Sequence, residues 1–367
     1  MIAKPARRVM RTKTTVMAVF VFLAAFSGAP GAASSAGTAE RFTLSVWIRT
    51  LTAGQKSETT NYRVGRSNYT MMIDGLRREY IVSVPPSYNP NKPTPAVFVF
   101  HGSAHDGGSA YREWKWREQC DRMGCIAVFP TSWRYDVSDE GRTMTKWNFA
   151  GLRELVPPNT RLADDVRFVR EILSALSPRF NIDRRRIFAT GGSNGAQFVN
   201  TRVLLEMPDV FAAVGVALVL ETGGSRLRGD AIPLYAVIGS RDQMLLDLEV
   251  AGGVREFPME ASKILGNKLL GGGITRTLRT LGLDADYRVE YCDPPLRRCS
   301  ASYRPALDSE RTFYTTMTFD HGLRKGVELR YRMVKGMAHA YPNGEDNPAR
   351  LVAAELFWDF FVKHPRD

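Results

Sequence analysis

Apolar positions in this 367-residue chain fall into two kinds of stretch that take turns along most of its length. Continuous apolar runs at residues 95–100, 125–130, 211–220 and 233–239 carry the pattern of strands buried on both faces, as in a parallel sheet. Residues 42–51, 78–84 and 327–334 predict further strands, and a polar stretch runs through residues 52–67. Apolar residues at helical spacing fill much of what lies between. A helix is expected over residues 109–123, with Tyr111, Trp114 and Trp116 on its aromatic side. Another opens at Asp164-Asp165, lines one face with Val166, Val169, Leu173 and Leu176, and stops at Pro178; its two aspartates read as caps. Asn347-Pro348 predicts the start of a last helix, an N-cap followed by proline, with Val352, Leu356 and Phe360 facing inward. Residues 131–162 read as a long irregular segment carrying Trp133, Tyr135 and Trp147, a length that in a compact domain usually serves a site. The alternation implies an α/β chain, a mainly parallel sheet with helices on both faces.

One stretch, residues 186–207, changes from strand to helix within five residues. Ile187 to Thr190 is apolar and β-branched, whereas Ala196, Val199, Val203 and Met207 recur at helical spacing. Between them stand Gly191, Gly192, Ser193, Asn194 and Gly195, a G-x-S-x-G sequence in the strand-turn-helix setting that lifts a serine hydroxyl clear of a sheet. Glycine flanks the serine because the turn requires close backbone approach.

The first 40 residues break the pattern. Lys4, Arg7, Arg8, Arg11 and Lys13 precede an apolar run of eleven at residues 16–26 and a small-residue segment at 31–39. This is the layout of a secretory signal peptide, taken here as residues 1–36, with small-x-small cleavage points after Ala33, Ala36 or Ala39. Eleven residues fall short of the roughly 20 that a membrane span needs. Losing the leader removes five of the formal +12 charges and leaves +7. That balance fits an acidic polymer or aromatic-acid substrate, and no basic run interleaved with aromatics suggests a nucleic-acid partner. In an exported chain the four cysteines are expected as disulfides, first as Cys120–Cys125 and Cys292–Cys299 among three connectivities. No histidine stands at ligand spacing to either pair, so zinc is not expected.

A serine hydroxyl is a weak nucleophile without a base, and the base needs an orienting carboxylate. Asp242 follows the strand at 233–239 and His339 follows the strand at 327–334, so serine, acid and histidine come in the order of the α/β-hydrolase fold. Residues just past the carboxyl ends of parallel strands gather along one sheet edge, where the three can meet. The oxyanion formed at an attacked carbonyl needs donors already in place. The backbone amides of Asn194 and of Ser103, in the turn His101-Gly102-Ser103, are the expected pair. Glu221, past the strand at 211–220, is the rival acid; His105 is a loop histidine near the oxyanion turn, and His321 and His364 sit in polar surroundings. Trp147 and Tyr341 are the aromatic candidates to wall an acyl pocket.

Four segments resemble one group of secreted α/β-hydrolase esterases, which contains polyhydroxybutyrate depolymerases, feruloyl esterases and acetyl xylan esterases. They are Arg78-Glu79-Tyr80 leading to Val84-Pro85, His101-Gly102-Ser103, Asp164-Asp165-Val166 through Ser193-Asn194-Gly195, and Gly336 to Pro342 before an aromatic closing helix. The resemblance covers most of residues 75–365. It implies Ser193 as nucleophile, Asp242 as acid, His339 as base, no metal or cofactor, and an ester substrate: a polyhydroxyalkanoate-type oligoester or a feruloyl or acetyl polysaccharide ester. Residues 37–367 then form a single catalytic domain, with residues 243–326 as a lid or insertion. Gly192 and Tyr341 depart from the group, which often has a larger residue and a tryptophan there. The absence of a linker and binding module after His339 points to soluble or oligomeric esters. Two other classes share these features: a serine peptidase of the same fold, for which no amine-binding pair of acids is recognisable, and a catalytically silent extracellular binding protein.

Overall fold

The computed structural model describes residues 62–138, 140–221, 227, 229–248, 255–286, 302–308, 311–323 and 325–367. The expected leader, the strand expected at residues 42–51 and the expected Cys292–Cys299 pair lie outside the described residues. The strands are β1 (Gly65–Ile73), β2 (Leu76–Val84), β3 (Thr94–Phe100), β4 (Ile126–Pro130), β5 (Trp133–Val137), β6 (Arg142–Lys146), β7 (Ile182–Gly192), β8 (Ala213–Ala217), β9 (Leu234–Gly239), β10 (Ser302–Asp308), β11 (Arg311–Phe319) and β12 (Leu329–Val334). Ten of them form one sheet in the order β1-β2-β4-β3-β7-β8-β9-β12-β11-β10. From β4 to β12 neighbouring strands run parallel, while β1, β2, β10 and β11 join antiparallel at the two ends.

The unbroken apolar runs make sense because each feeds two cores. Along β3, Ala96, Phe98 and Phe100 enter the core on one face, where the helices Asp165–Leu176 and Lys268–Leu281 pack. Val97 and Val99 point the other way, into a core closed by the helices Trp116–Met123 and Ala353–Phe361. Successive strand side chains face opposite sides, so a strand covered on both faces has no position for a polar residue. Among the described residues no helix is long and apolar enough to cross a membrane.

Several expectations are corrected. Residues 65–67, read as the end of a polar stretch, begin strand β1, whose one face is solvated; Tyr69, Met71 and Ile73 at every second position carried the signal. The helix expected over residues 109–123 is two, Gly107–Glu113 and Trp116–Met123, broken where Lys115 adopts a φ of 61°. Residues 131–162 are not irregular: β5 and β6 pair as a hairpin, a short helix follows at Leu152–Leu155, and Tyr135, Val137, Met144 and Leu152 make a small core of their own. The last helix starts at Ala353, not at Asn347. Asn347 instead closes a turn, accepting from the Leu351 amide at 2.8 Å and donating to the Leu351 carbonyl at 2.9 Å. In residues 243–326 the described part forms the helices Gln243–Leu248, Ala261–Gly266 and Lys268–Leu281 and then β10 and β11, which extend the sheet.

Asp164 caps its helix as expected, accepting from the Arg167 amide at 2.9 Å. Asp165 does something else. Fully buried, it accepts from Arg78 Nη2 at 2.6 Å and from the Asn148 amide at 2.7 Å. Burial pushes its carboxyl up, and the Arg78 guanidinium beside it opposes that push. The pair ties β2 to the helix and to the segment that carries Trp147. The Cys120–Cys125 disulfide joins the end of helix Trp116–Met123 to the start of β4.

Candidate active site

Ser193 stands between β7 and a helix that begins at Asn194. Its φ of 52° is one that residues with a Cβ seldom adopt, costing about 1–3 kcal/mol. The flanking glycines are required by space. A Cβ on Gly191 would meet the Gly195 carbonyl group at 2.5 Å, and one on Gly195 would stand 2.0 Å from the Phe100 carbonyl oxygen. The Ser193 amide donates to the Ala217 carbonyl at 3.1 Å, which fixes the turn against β8.

Three side chains from the ends of three strands meet here. Ser193 Oγ lies 2.9 Å from His339 Nε2, and His339 Nδ1 lies 2.8 Å from both oxygens of Asp242. Asp242 is fully buried and its Oδ1 also accepts from the Met244 and Leu245 amides at 3.1 and 3.3 Å, so its carboxylate is held from two sides. With Nδ1–H donated to Asp242, Nε2 is left as the acceptor for the serine hydroxyl. Glu221 does not reach this histidine. It is half-buried beside the Gln197 amide group at 3.5 Å, and burial pushes its carboxyl up.

The turn His101-Gly102-Ser103 follows β3 and packs against the serine: a Cβ on Gly102 would lie 3.6 Å from Ser193 Cβ and from the Gly192 carbonyl oxygen. Asn194 is the first helical residue, so its amide has no carbonyl one turn behind it. His101 braces the turn. It is fully buried, which pushes its imidazole down to about 4 and keeps it neutral. Nε2 accepts from the Ser132 amide at 3.0 Å while Nδ1–H donates to the Gly102 carbonyl at 2.7 Å. Lys146 Nζ donates to Ser103 Oγ at 3.1 Å, and the Ala104 amide to the Thr145 carbonyl at 3.0 Å. These bracing roles of His101 and Lys146 were missed in the sequence, where nothing marks residues 132 and 146 as neighbours of residues 101 and 103.

Trp147 is fully buried, stacked on Phe198 with its Nε1–H given to the His101 carbonyl at 2.9 Å. Its amide donates to Asn194 Oδ1 at 2.7 Å. It therefore supports the floor beneath the serine and has no free face to offer a substrate. Tyr341 stacks on Trp114 at 3.8 Å between ring centroids, and its hydroxyl meets Trp116 Nε1 and Thr190 Oγ1 at 3.0 Å each. Burial pushes that phenol well above its ordinary range. A Cβ on Gly192 would lie 2.7 Å from the Tyr341 ring and 3.0 Å from Trp114. The glycine before Ser193 thus makes room for the Trp114–Tyr341 ring pair. Trp114, half-buried, is the aromatic with surface left.

His105 is exposed in the loop after His101-Gly102-Ser103, and His321 pairs with Asp320 at 2.8 Å on the surface. His364, expected in polar surroundings, is half-buried against the tilted ring of Phe360, with Nδ1 2.8 Å from the Phe360 carbonyl. A cavity of about 650 Å³ with Arg66, Arg77, Arg112 and Arg134 on its walls lies against β1 and β2; Ser193, Asp242 and His339 do not line it. Among the described residues no cluster of metal-ligating side chains occurs.

This mainly parallel sheet, with helices on both faces and the ends of three strands bringing Ser193, Asp242 and His339 together, has the α/β-hydrolase fold. No family model matches the chain. In sequence it is 22% identical over 286 residues to a bifunctional acetylxylan esterase/xylanase of Neocallimastix patriciarum, a match covering 78% of this chain and 33% of that one. The chain therefore spans about a third of that relative's length. An S-formylglutathione hydrolase from Agrobacterium tumefaciens superposes with a TM-score of 0.50 at 13% identity, over 83% of this chain and 98% of that one. The resemblance to the esterase group holds through an acetylxylan esterase relative, not specifically through a depolymerase.

Proposed function

We propose that this protein is an exported serine carboxylesterase that works through an acyl-enzyme. Ser193 Oγ attacks the ester carbonyl while His339 Nε2 takes its proton. Asp242 steadies the resulting imidazolium, and the amides of Ser103 and Asn194 receive the oxyanion. The proton then passes from His339 to the departing alcohol as the carbon–oxygen bond breaks. Water repeats the sequence on the acyl-enzyme, giving up a proton to His339, which returns it to Ser193 Oγ as the bond to the acyl carbon breaks and the acid leaves. The observation that carries this reading is the unbroken relay of 2.9 and 2.8 Å from hydroxyl to imidazole to a buried carboxylate. The basic, apolar and small-residue order of the first 36 residues supports export, to an extracellular or periplasmic site.

Among the candidate esters, an acetyl or feruloyl group on a polysaccharide is favoured over a hydroxyalkanoate oligoester. The acetylxylan esterase relative supports this order, and so does the Trp114–Tyr341 ring pair packed on Gly192, since a flat ring suits the face of a sugar or an aromatic acid. The test is a panel of acetylated xylan, methyl ferulate and hydroxybutyrate oligomers, with p-nitrophenyl acetate as the measure of the class. The protein is expected to cleave p-nitrophenyl acetate and acetylated xylan. Ser193→Ala should lower kcat by roughly 10⁴-fold or more with an unchanged circular dichroism spectrum. Turnover that survives this substitution contradicts the assignment of the nucleophile.

A further inference from the structure

The acid and the base of the relay sit on separate turns, past the ends of β9 and β12, so the alignment of the imidazole depends on how those turns are joined. The strands are parallel neighbours, with Gly239 opposite Val334. Beyond their ends the two turns are in backbone contact: a Cβ on Gly239 would stand 2.2 Å from the Met337 carbonyl oxygen. The Arg241 amide donates to that same oxygen at 2.9 Å, and the Ser240 amide to the Val334 carbonyl at 2.9 Å.

Glu256 reaches this junction from further along the chain. The Phe257 amide donates to the Ser240 carbonyl at 2.8 Å and so brings the Glu256 carboxylate to both turns. Its Oε1 accepts from the Ser240 hydroxyl at 2.7 Å and from the Gly336 amide at 3.2 Å, and its Oε2 accepts from Arg241 Nε at 2.9 Å. Ser240 Oγ also accepts from the Gly336 amide at 2.7 Å. A single carboxylate therefore bonds the two residues before the acid and a residue three before the base. Ser240 is fully buried, so its hydroxyl has no ready substitute in solvent if Glu256 is removed. The Arg241 contact is largely exposed and adds little by itself. Burial pushes the Glu256 carboxyl up, but the Ser240 hydroxyl, the Arg241 guanidinium and the Gly336 amide outweigh it and hold it below the ordinary carboxylate range.

We propose that Glu256 is a positioning residue whose carboxylate clamps the turn of Asp242 to the turn of His339 and so keeps the imidazole in line with the Ser193 hydroxyl. This rests on the serine-esterase reading above. Loss of alignment acts on the chemical step more than on binding, because the groups that move are those that transfer the proton.

The test measures kcat and KM for p-nitrophenyl acetate, with melting temperatures, in the wild type and in Glu256→Ala, Glu256→Gln and Ser240→Ala. In Glu256→Ala, kcat is expected to fall roughly ten- to a hundredfold with KM within about twofold of wild type. Glu256→Gln keeps an acceptor for Ser240 and Gly336 and should recover at least half of that loss on a logarithmic scale. Ser240→Ala should lower kcat in the same direction with Glu256 intact; if Glu256→Ala melts below the assay temperature, this variant and Glu256→Gln carry the test. Values of kcat within about twofold of wild type in both Glu256→Ala and Ser240→Ala overturn the clamp, as does a fall that Glu256→Gln does not recover and that KM follows in step. A wild type that neither hydrolyses the ester nor takes a fluorophosphonate on Ser193 overturns the esterase reading itself, an outcome distinct from failure of the clamp.

Discussion

The turn that carries Ser193 and the paired turns that carry Asp242 and His339 are held by different means. The first is shaped by backbone sterics: glycines at 191 and 195 with no room for a Cβ against the backbones of Gly195 and Phe100, and a positive φ at the serine itself. The second is assembled from side chains far apart in sequence, with the Asp242 carboxylate bonded to the imidazole of residue 339 and the Glu256 carboxylate bonded to Ser240 and to the Gly336 amide. A turn set by backbone packing keeps its form as long as the strands and helix around it do. A turn assembled from distant parts is adjustable, and a change at any contributor is felt at the histidine.

The largest effect that separates the two regions is expected at the acid. Asp242→Asn should lower kcat by roughly 10³–10⁴-fold, since the amide no longer fixes the imidazole tautomer. Glu221→Gln, measured beside it, should stay within about twofold of wild type. The reverse result would transfer the acid to Glu221 and undo the pairing of turns described here. Next in size is the support behind the Ser193 turn. Arg78→Met leaves the Asp165 carboxylate buried without its ion-pair partner and should cost about 3–5 kcal/mol in chemical denaturation. Gly195→Ala tests the steric claim: the new methyl group meets the Phe100 carbonyl oxygen, so a loss of about 1–3 kcal/mol or more is expected from the same measurement. A neutral outcome there would mean that the nucleophile turn is less confined than its backbone indicates.

The smallest effect is a pH dependence. Burial raises the Glu221 carboxyl in the folded protein, so its contribution to stability is greatest below the unfolded value and is lost as pH rises through the folded one. Glu221→Gln should therefore melt higher than wild type at neutral pH, and the gap should close toward pH ~4, where the wild-type carboxyl is protonated. A gap that is independent of pH would place the cause elsewhere.

The same contrast explains how much of the molecule was legible in its sequence. The runs that became β3, β4, β8 and β9 could be read because a strand buried on both faces has to be apolar at every position. The Ser193 turn could be read because glycine records its steric constraints in the sequence. Asp242 and His339 were singled out by order along the chain and by their place after strands, and the structure brings the two side chains together. The supports were not legible: Asp165 reads as an ordinary helix cap until Arg78 is brought to it from 87 residues away. Trp147 was expected at a pocket wall because an aromatic in a long segment suggests one, yet the β5–β6 hairpin carries it under the serine. Glu256 offers no pattern at all, since its meaning lies in the turns of two other strands.

The central claim, that the Ser193 hydroxyl is made nucleophilic by His339, is tested most directly by the site of covalent phosphonylation. Intact protein treated with a fluorophosphonate should gain one adduct, located by peptide mass spectrometry on Ser193, and His339→Ala should lose that labelling along with ester hydrolysis. An adduct on another serine, or labelling of Ser193 that proceeds equally well without the His339 imidazole, would contradict it.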